Sequence, residues 1–252
     1  MNEILQVAML AGQMILENGG ETYRVEETIW RICKIYGAEQ AESFATPTGI
    51  MASICHGGKI YSLTRRVSKR TVDLNKIDKV NDLSRSIASK NLSVGDFKNE
   101  LNKINKVEAY PQMLIIIFSA FGAGSFSVLF GGTFKDVFAA FLIGLVIKTL
   151  TIKWSEIGIN AFFINSICSG ITALLAIILF KLGIASQLNQ TIIGAIMLLV
   201  PGLAITNAIR DTMSGDLLSG VIRASEAFLV AIAIAVGTGA VLSFWMTNIG
   251  GL

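Results

Sequence analysis

Residues 112–130 read Gln-Met-Leu-Ile-Ile-Ile-Phe-Ser-Ala-Phe-Gly-Ala-Gly-Ser-Phe-Ser-Val-Leu-Phe, an unbroken run without a charged side chain. A transmembrane helix needs about 20 mainly apolar residues to cross a hydrocarbon layer of roughly 30 Å. This run meets that requirement, and it follows directly on Pro111, where the composition of the chain changes. It therefore predicts the start of a membrane region.

The composition on either side of Pro111 supports this division. Residues 1–111 contain 15 of the 21 Lys and Arg and 13 of the 18 Asp and Glu, whereas residues 112–252 contain the other 6 and 5. Overall the chain is 52% hydrophobic and 15% charged, with a mean hydropathy of +0.61. Soluble domains carry about a quarter charged residues. We therefore expect one domain over 1–110 and a transmembrane domain over 111–252.

Further apolar segments follow the first one, and together they predict an all-α membrane bundle of about five transmembrane helices. The predicted spans lie near 112–130, 134–152, 161–182, 190–209 and 218–246. Lys and Arg are modestly enriched in the loops on one side, which agrees with an N-terminal domain in the cytoplasm. The chain also begins without the basic and apolar regions of a secretory signal. We expect a multi-pass protein of the cell membrane.

The N-terminal domain shows the patterns of a small α+β fold. Apolar residues recur at helical spacing before Gly19-Gly20 and again before Gly37. Short segments at 41–46, 50–56 and 59–67 then predict an antiparallel meander of strands. Two more segments with helical periodicity complete the domain. About 100 residues are enough for a core of its own.

A charged stretch between the last two predicted spans contains the main candidate site. Its strongly polar side chains are Asn207, Arg210, Asp211, Asp216, Arg223 and Glu226. The arginines could bind a carboxylate, the acidic groups could balance charge or carry a proton, and the asparagine could position a solute. If the last helix begins near Leu217, Glu226 lies about 13 Å along it, close to the bilayer midplane. The alternative is an ordinary loop with solvated caps.

Pro201 and Gly202 interrupt the fourth predicted span just before this stretch. Proline removes a backbone hydrogen bond, and a broken span exposes helix ends that can bind a charged solute. A second polar turn, residues 17–27, enters a helix in the first domain. It could hold an anion at the helix start, or it could be a capped turn with Arg24 paired to a nearby glutamate.

Signs of enzymatic or metal chemistry are lacking in the sequence. Cys33, Cys55 and Cys168 are scattered without metal-ligand spacing, and no phosphate-binding loop or Ser-His-Asp set is visible. The net charge of +3 is too dispersed to indicate nucleic acid. We therefore expect no catalytic residues, no metal and no cofactor, and a transporter rather than an enzyme.

Motifs in both halves together resemble the threonine/serine exporter (ThrE) family, and in particular its short YjjP-type members. The matching segments are Gly19-Gly20-Glu21-Thr22-Tyr23-Arg24-Val25-Glu26, Thr46-Pro47-Thr48-Gly49, Val80-Asn81-Asp82-Leu83-Ser84-Arg85, Pro201-Gly202, Thr206-Asn207-Ala208-Ile209-Arg210-Asp211, Gly215-Asp216, Ser219-Gly220, Arg223 and Glu226-Ala227.

This resemblance implies a subunit that exports threonine, serine or a dicarboxylate such as succinate. It also implies a second small membrane subunit, similar to YjjB, that supplies the rest of the transport path. A homo-oligomer is the alternative assembly, because about five spans in one chain do not make a symmetric path. In the cytosolic domain, the candidate motif residues are Glu21, Thr22, Arg24, Glu26, Thr46 and Thr48.

Two hypotheses from other functional classes remain as alternatives to an exporter. The first is a membrane-anchored hydrolase whose activity lies in residues 1–110, with Thr48 and His56 as residues to mutate. The second is a passive scaffold or channel subunit. Five spans with a broken, charged junction are more than an anchor requires, which favours transport.

Overall fold

A computed structural model describes residues 1–107 and 110–248 of the chain. Its described residues divide into two compact units. Unit 1 comprises the described residues up to 107 together with Gly202–Ser225. Unit 2 comprises residues 110–201 and the described residues from Glu226 onward.

Unit 1 begins as the predicted α+β domain. Its elements are α1 (Asn2–Glu17), α2 (Thr22–Ile35), β1 (Gln40–Thr46), β2 (Gly49–His56), β3 (Lys59–Arg66), α3 (Leu74–Ser86) and α4 (Val94–Lys106). The strands form an antiparallel sheet in the order β1-β2-β3, which confirms the predicted meander. Alternate residues of β2, namely Ile50, Ala52 and Ile54, face the core, because side chains alternate across a strand.

The junction between α1 and α2 is a glycine turn. Gly19 has φ +95°, and the Gly20 N–H donates to the Ile15 carbonyl at 2.9 Å while the Gly19 N–H donates to Leu16. This is the Schellman arrangement, in which a left-handed residue closes the helix end. A side chain at Gly20 would lie 2.4 Å from Ile15. The predicted helix stop at Gly19-Gly20 is therefore confirmed, and the turn exposes backbone carbonyls beside the start of α2.

Unit 1 also contains α9 (Gly202–Met213) and the first residues of α10 (Leu217–Asn248). A second Schellman turn joins them: Gly215 has φ +94°, and the Asp216 N–H donates to the Asp211 carbonyl at 2.8 Å. Gly220 then permits close packing, since a Cβ there would lie 2.1 Å from the Thr212 hydroxyl. We call residues 202–225 the α9–α10 hairpin. The sequence division at residue 110 did not anticipate this grouping.

Unit 2 consists of helices. They are α5 (Gln112–Leu129), α6 (Phe134–Glu156), α7 (Ala161–Lys181), α8 (Leu188–Ile196) and the part of α10 from Glu226 onward. Among the described residues, α5, α6, α7 and α10 are long and apolar enough to cross a membrane. The described residues thus contain four candidate membrane spans, whereas the sequence predicted about five.

The predicted span near 190–209 is wrong as a continuous helix. It is divided into α8, of nine residues, and α9, with a break between Ile196 and Gly202. Nine residues extend only about 13 Å, far less than a bilayer core. Pro201 explains the break, because it cannot donate a hydrogen bond and disfavours a helical residue before it. The predicted interruption at Pro201-Gly202 is confirmed.

Asp136 joins two helix starts in unit 2. It is fully buried, and one carboxylate oxygen accepts from the N–H and hydroxyl of Thr133 at 2.8 and 2.7 Å. Its other oxygen accepts from the N–H groups of Ser186 and Gln187, both at 2.7 Å. One side chain therefore caps α6 and α8 together, because the first N–H groups of a helix have no partner within it.

Candidate functional site

Part of the predicted polar stretch, namely Asn207, Asp211 and Arg223, is buried within unit 1. On α9, the buried side chains are Asn207, Ala208 and Asp211, and on the first turns of α10 Ser219 and Arg223 are also buried. Amphipathic helices usually turn their apolar side toward a core. Here the hairpin turns its polar side inward, so these groups require partners within unit 1.

Asp211 caps the start of α2 from a distant part of the sequence. It is fully buried, and its Oδ1 accepts the Thr22 backbone N–H at 3.1 Å. Asp216 supports the same position, because its Oδ2 accepts from the Thr22 hydroxyl at 3.2 Å. The positive end of a helix dipole stabilises such carboxylates. The predicted anion at this helix start is thus a carboxylate of the chain itself.

Arg223 neutralises Asp211 in the interior. Its Nε lies 2.9 Å from Asp211 Oδ2, an ion pair whose N–H is not aligned for a hydrogen bond. Its Nη2 donates to the Gly20 carbonyl at 2.8 Å. Asn207 makes the adjacent contact, donating from Nδ2 to the Gly19 carbonyl at 2.8 Å. The alternative interpretation, in which Asp211 and Arg223 are solvated caps of a loop, is therefore wrong.

Glu21 holds two arginines beside this buried network. Its side chain is 8% exposed; Oε2 lies 3.0 Å from Arg24 Nε, and Oε1 accepts from Arg210 Nη1. Burial raises the pKa of Glu21, but its own backbone N–H, Arg210 and Arg24 outweigh this, so the pKa lies below its ordinary value. The predicted pairing of Arg24 with a nearby glutamate is confirmed. The carboxylate thus fixes two guanidinium groups next to each other.

Glu26 extends the acidic side of the network toward the sheet. Its Oε1 accepts the Ala45 N–H at 2.7 Å, and Ser219 donates to the Ala45 carbonyl at 3.4 Å. Burial raises the pKa of Glu26, the Ala45 N–H opposes that rise, and the charges of Asp216 and Asp211 add to it. The pKa of Glu26 therefore lies above its ordinary value.

A cleft of about 340 Å³ lies beside the arginines, within unit 1. Glu21, Arg24 and Arg210 form one part of its lining, and Asp78 and Asn81 of α3 form another. The side chains of Arg24 and Arg210 are 33% and 54% exposed, although Arg24 Nε itself is buried beside Glu21. Guanidinium donors recognise carboxylates with paired hydrogen bonds.

The remaining candidate residues have different positions. Thr46 is the last residue of β1 and Thr48 lies in the turn before β2, with their hydroxyl oxygens 3.5 Å apart. Thr48 and His56 stand at opposite ends of β2, roughly 25 Å apart by the rise of a strand, so they do not form one site. Glu226 is half-buried and belongs to unit 2. The structure thus unites five of the six predicted charged-stretch residues.

Sequence reasoning missed Asp78, Asn81 and Asp136. The first two lie on α3 and reach the cleft only through the tertiary fold, although Asn81 is part of a motif quoted above. Asp136 had a local signal. Thr133 precedes it by three residues at the start of an apolar run, which is the spacing of a capping box.

The family model described as "Putative threonine/serine exporter" matches residues 6–245. The chain belongs to the ThrE family. A member of this family in Klebsiella aerogenes, named "Probable succinate transporter subunit YjjP", is 23% identical over 92% of this chain and 90% of its own length. The Escherichia coli K12 protein of the same name is 20% identical over 96% and 94%.

A longer ThrE relative is the "Probable threonine/serine exporter" of Mycobacterium tuberculosis. It is 23% identical over 93% of this chain, and the match covers 45% of its own length. No solved structure matches the chain. The family, the relatives' names and the apolar helices support a membrane exporter and indicate a transporter rather than an enzyme.

Proposed function

We propose that this protein is one subunit of a secondary transporter that exports a small carboxylate-bearing solute across the cell membrane. Threonine and serine are one candidate class, and a dicarboxylate such as succinate is the other, following the names of the relatives. The proposal places unit 1 in the cytoplasm, where it meets the solute before export. A second membrane subunit completes the transport path, in keeping with the word "subunit" in two relatives' names.

The observation that carries the proposal is the pair of arginines in the cleft. Arg24 and Arg210 both form ion pairs with the buried Glu21. The charged side chains that line the cleft are Arg24, Arg210, Glu21 and Asp78, so the lining is neutral overall, but its arginine side still presents guanidinium donors. A solute carboxylate can therefore bind to the donors that Glu21 does not use.

The other predicted residues take different roles in this proposal. Asp211, Asp216 and Arg223 hold the α9–α10 hairpin in place, and Asn207 positions the backbone of the glycine turn beside the cleft. Glu226 is kept as the group that balances charge or carries a proton. Since α10 has 32 residues and a crossing needs about 20, a crossing that begins after residue 225 places Glu226 near the end of the hydrocarbon.

Solute efflux from loaded cells tests the proposal. We expect Arg210→Gln to lower efflux about tenfold or more, because a charge-assisted hydrogen bond contributes about 1.5–3 kcal/mol. Lys103→Gln, at a side chain 72% exposed on α4, is the control and should match wild type. Parallel loading with threonine and succinate identifies the solute class. Efflux by Arg210→Gln and Glu226→Gln equal to wild type for both solutes would contradict the proposal.

A further inference from the structure

The outward side of the α9–α10 hairpin is apolar. On α9, Ile205, Ile209 and Met213 recur every four residues and are 42%, 56% and 82% exposed. Residues four apart lie on one side of a helix, and this side is opposite the buried Asn207 and Asp211. The arrangement of α9 is therefore the opposite of an ordinary amphipathic helix on a soluble domain. Its polar side chains Asn207 and Asp211 are buried in unit 1, and its large apolar side chains are exposed.

The first turns of α10, also in unit 1, likewise expose apolar side chains. Leu217, Leu218 and Val221 are 62%, 55% and 63% exposed. All six residues are in unit 1, and we call them the hairpin apolar surface. A contiguous exposed patch of large apolar side chains usually marks a contact with protein or membrane. The buried network fixes the patch in place, because Asp211, Asp216 and Arg223 bind the hairpin to the α1–α2 turn.

The composition of the hairpin favours a protein over a lipid surface as the covering partner. Helices that lie on a membrane surface carry Lys and Arg on the polar side and often Trp or Tyr at the boundary. Residues 202–225 contain no Lys, Trp or Tyr, and their two arginines are paired with Glu21 and Asp211. The anchors of a lipid-bound helix are thus missing from this segment.

We infer that the hairpin apolar surface is the docking site for the second membrane subunit of the transporter. This inference rests on the proposed function. The longer Mycobacterium tuberculosis relative supports it, since this chain matches 45% of that protein and the remaining part is available there as a covalently attached partner. The partner is expected to present a helix with apolar side chains at spacings of three and four, which would pack against the hairpin.

Co-purification tests the docking site. The probe is the membrane protein of the same organism that matches the remaining part of the Mycobacterium tuberculosis chain, co-expressed with an affinity-tagged copy of this chain. We expect wild type to retain it and Ile209→Gln/Met213→Gln to retain at least about tenfold less, because an unpaired amide at the centre of an apolar interface removes the anchor contacts. Glutamine preserves the helix, being a good helix former.

A matched control separates this surface from other apolar side chains of unit 1. Phe44 and Met51 face each other across β1 and β2 and are 47% and 49% exposed. Phe44→Gln/Met51→Gln should retain the probe as wild type does. Loss in both double variants to the same degree would contradict a specific surface on the hairpin.

The outcomes separate the two ideas. If wild type does not retain the probe, the two-subunit part of the proposed function fails. If wild type and Ile209→Gln/Met213→Gln retain it equally, the docking site is wrong while the subunit assembly stands. If wild type purified alone self-associates and the double variant does not, a second copy occupies the surface and the inference is overturned.

Discussion

At the scale of single residues, the structure separates two kinds of polar group that the sequence could not distinguish. Asp211 and Arg223 are buried and neutralise each other, whereas Arg210 is accessible at a cleft. A buried ion pair gains little over apolar side chains, but removing one member leaves an uncompensated charge. The two arginines should therefore respond differently to substitution.

Arg223→Met should destabilise unit 1 by about 3 kcal/mol or more, because Asp211 is left charged in the interior and the Gly20 carbonyl loses its donor. Asp211→Asn/Arg223→Met should recover part of this loss, since no charge remains buried. Thermal unfolding of the detergent-solubilised protein measures both. Lys103→Met, at an exposed position, should stay within about 0.5 kcal/mol of wild type. Equal losses in the single and double variants would contradict a charge-based cause.

Glu26→Gln should make stability less dependent on pH. Burial raises the pKa of Glu26 in the folded protein, and the charges of Asp216 and Asp211 raise it further. The contribution of Glu26 to the free energy of unfolding is therefore fully present below its ordinary pKa of 4.5. This contribution is lost as the pH rises through the pKa of the folded state. The glutamine variant should be more stable than wild type at neutral pH, and the difference should vanish below about pH 4.5. A pH series of Tm measurements provides the check, with Glu100→Gln on α4 as control.

At the scale of elements, helix contacts in unit 2 depend on glycine at particular positions. A Cβ at Gly237 would lie 1.9 Å from the Ser166 carbonyl, so α7 and α10 can approach only without a side chain there. A Cβ at Gly239, two residues later, meets nothing within 4 Å. Close approach through small residues is common between membrane helices.

Gly237→Ala should therefore force α7 and α10 apart and cost roughly 1–3 kcal/mol, as overpacking does. Gly239→Ala, on the same helix, should be neutral or stabilising by up to about 1 kcal/mol through helix propensity. Apparent Tm values in detergent compare the two directly. A larger loss for Gly239→Ala than for Gly237→Ala is the result that would rule out the packing explanation.

The elements of unit 1 could be predicted from local signals, but their assembly could not. Helix stops at Gly19-Gly20 and Gly37 and the strand meander follow from turn residues and periodicity, and the structure has them. No such signal predicts that Asn207 and Asp211 face the interior of unit 1, because their partners, Gly19 and Thr22, are 188 and 189 residues away in the sequence. The prediction of a continuous span near 190–209 was wrong because the apolar composition of that segment was given more weight than the break at Pro201.

At the scale of the whole molecule, unit 1 is discontinuous in sequence. The α9–α10 hairpin supplies the cap of α2 and the donors to the Gly19 and Gly20 carbonyls. Residues 1–107 alone lack these groups, so the start of α2 keeps unpaired N–H groups. The unit boundary between Ser225 and Glu226 lies within α10, which has 32 residues.

Residues 1–107 expressed alone should consequently be less stable than the same segment with the hairpin present. Adding a synthetic peptide of residues 202–225 should raise the Tm of the fragment, because a ligand that binds only the folded state stabilises it. A peptide with Asp211→Asn and Arg223→Met should have a much smaller effect. Circular dichroism melting curves measure this. A fragment whose Tm is unchanged by the native peptide would show that the hairpin contributes nothing to the fold.

The capping of α2 by Asp211 has a consequence for anion selectivity. A tethered carboxylate competes with free anions at an effective concentration of about millimolar or above, and burial shields it from dissolved salt. Cellular phosphate and sulfate are thereby excluded from a helix end that would otherwise attract them. The Asp211 carboxylate thus competes with free anions for the start of α2. Recognition of an incoming solute carboxylate is left to Arg24 and Arg210.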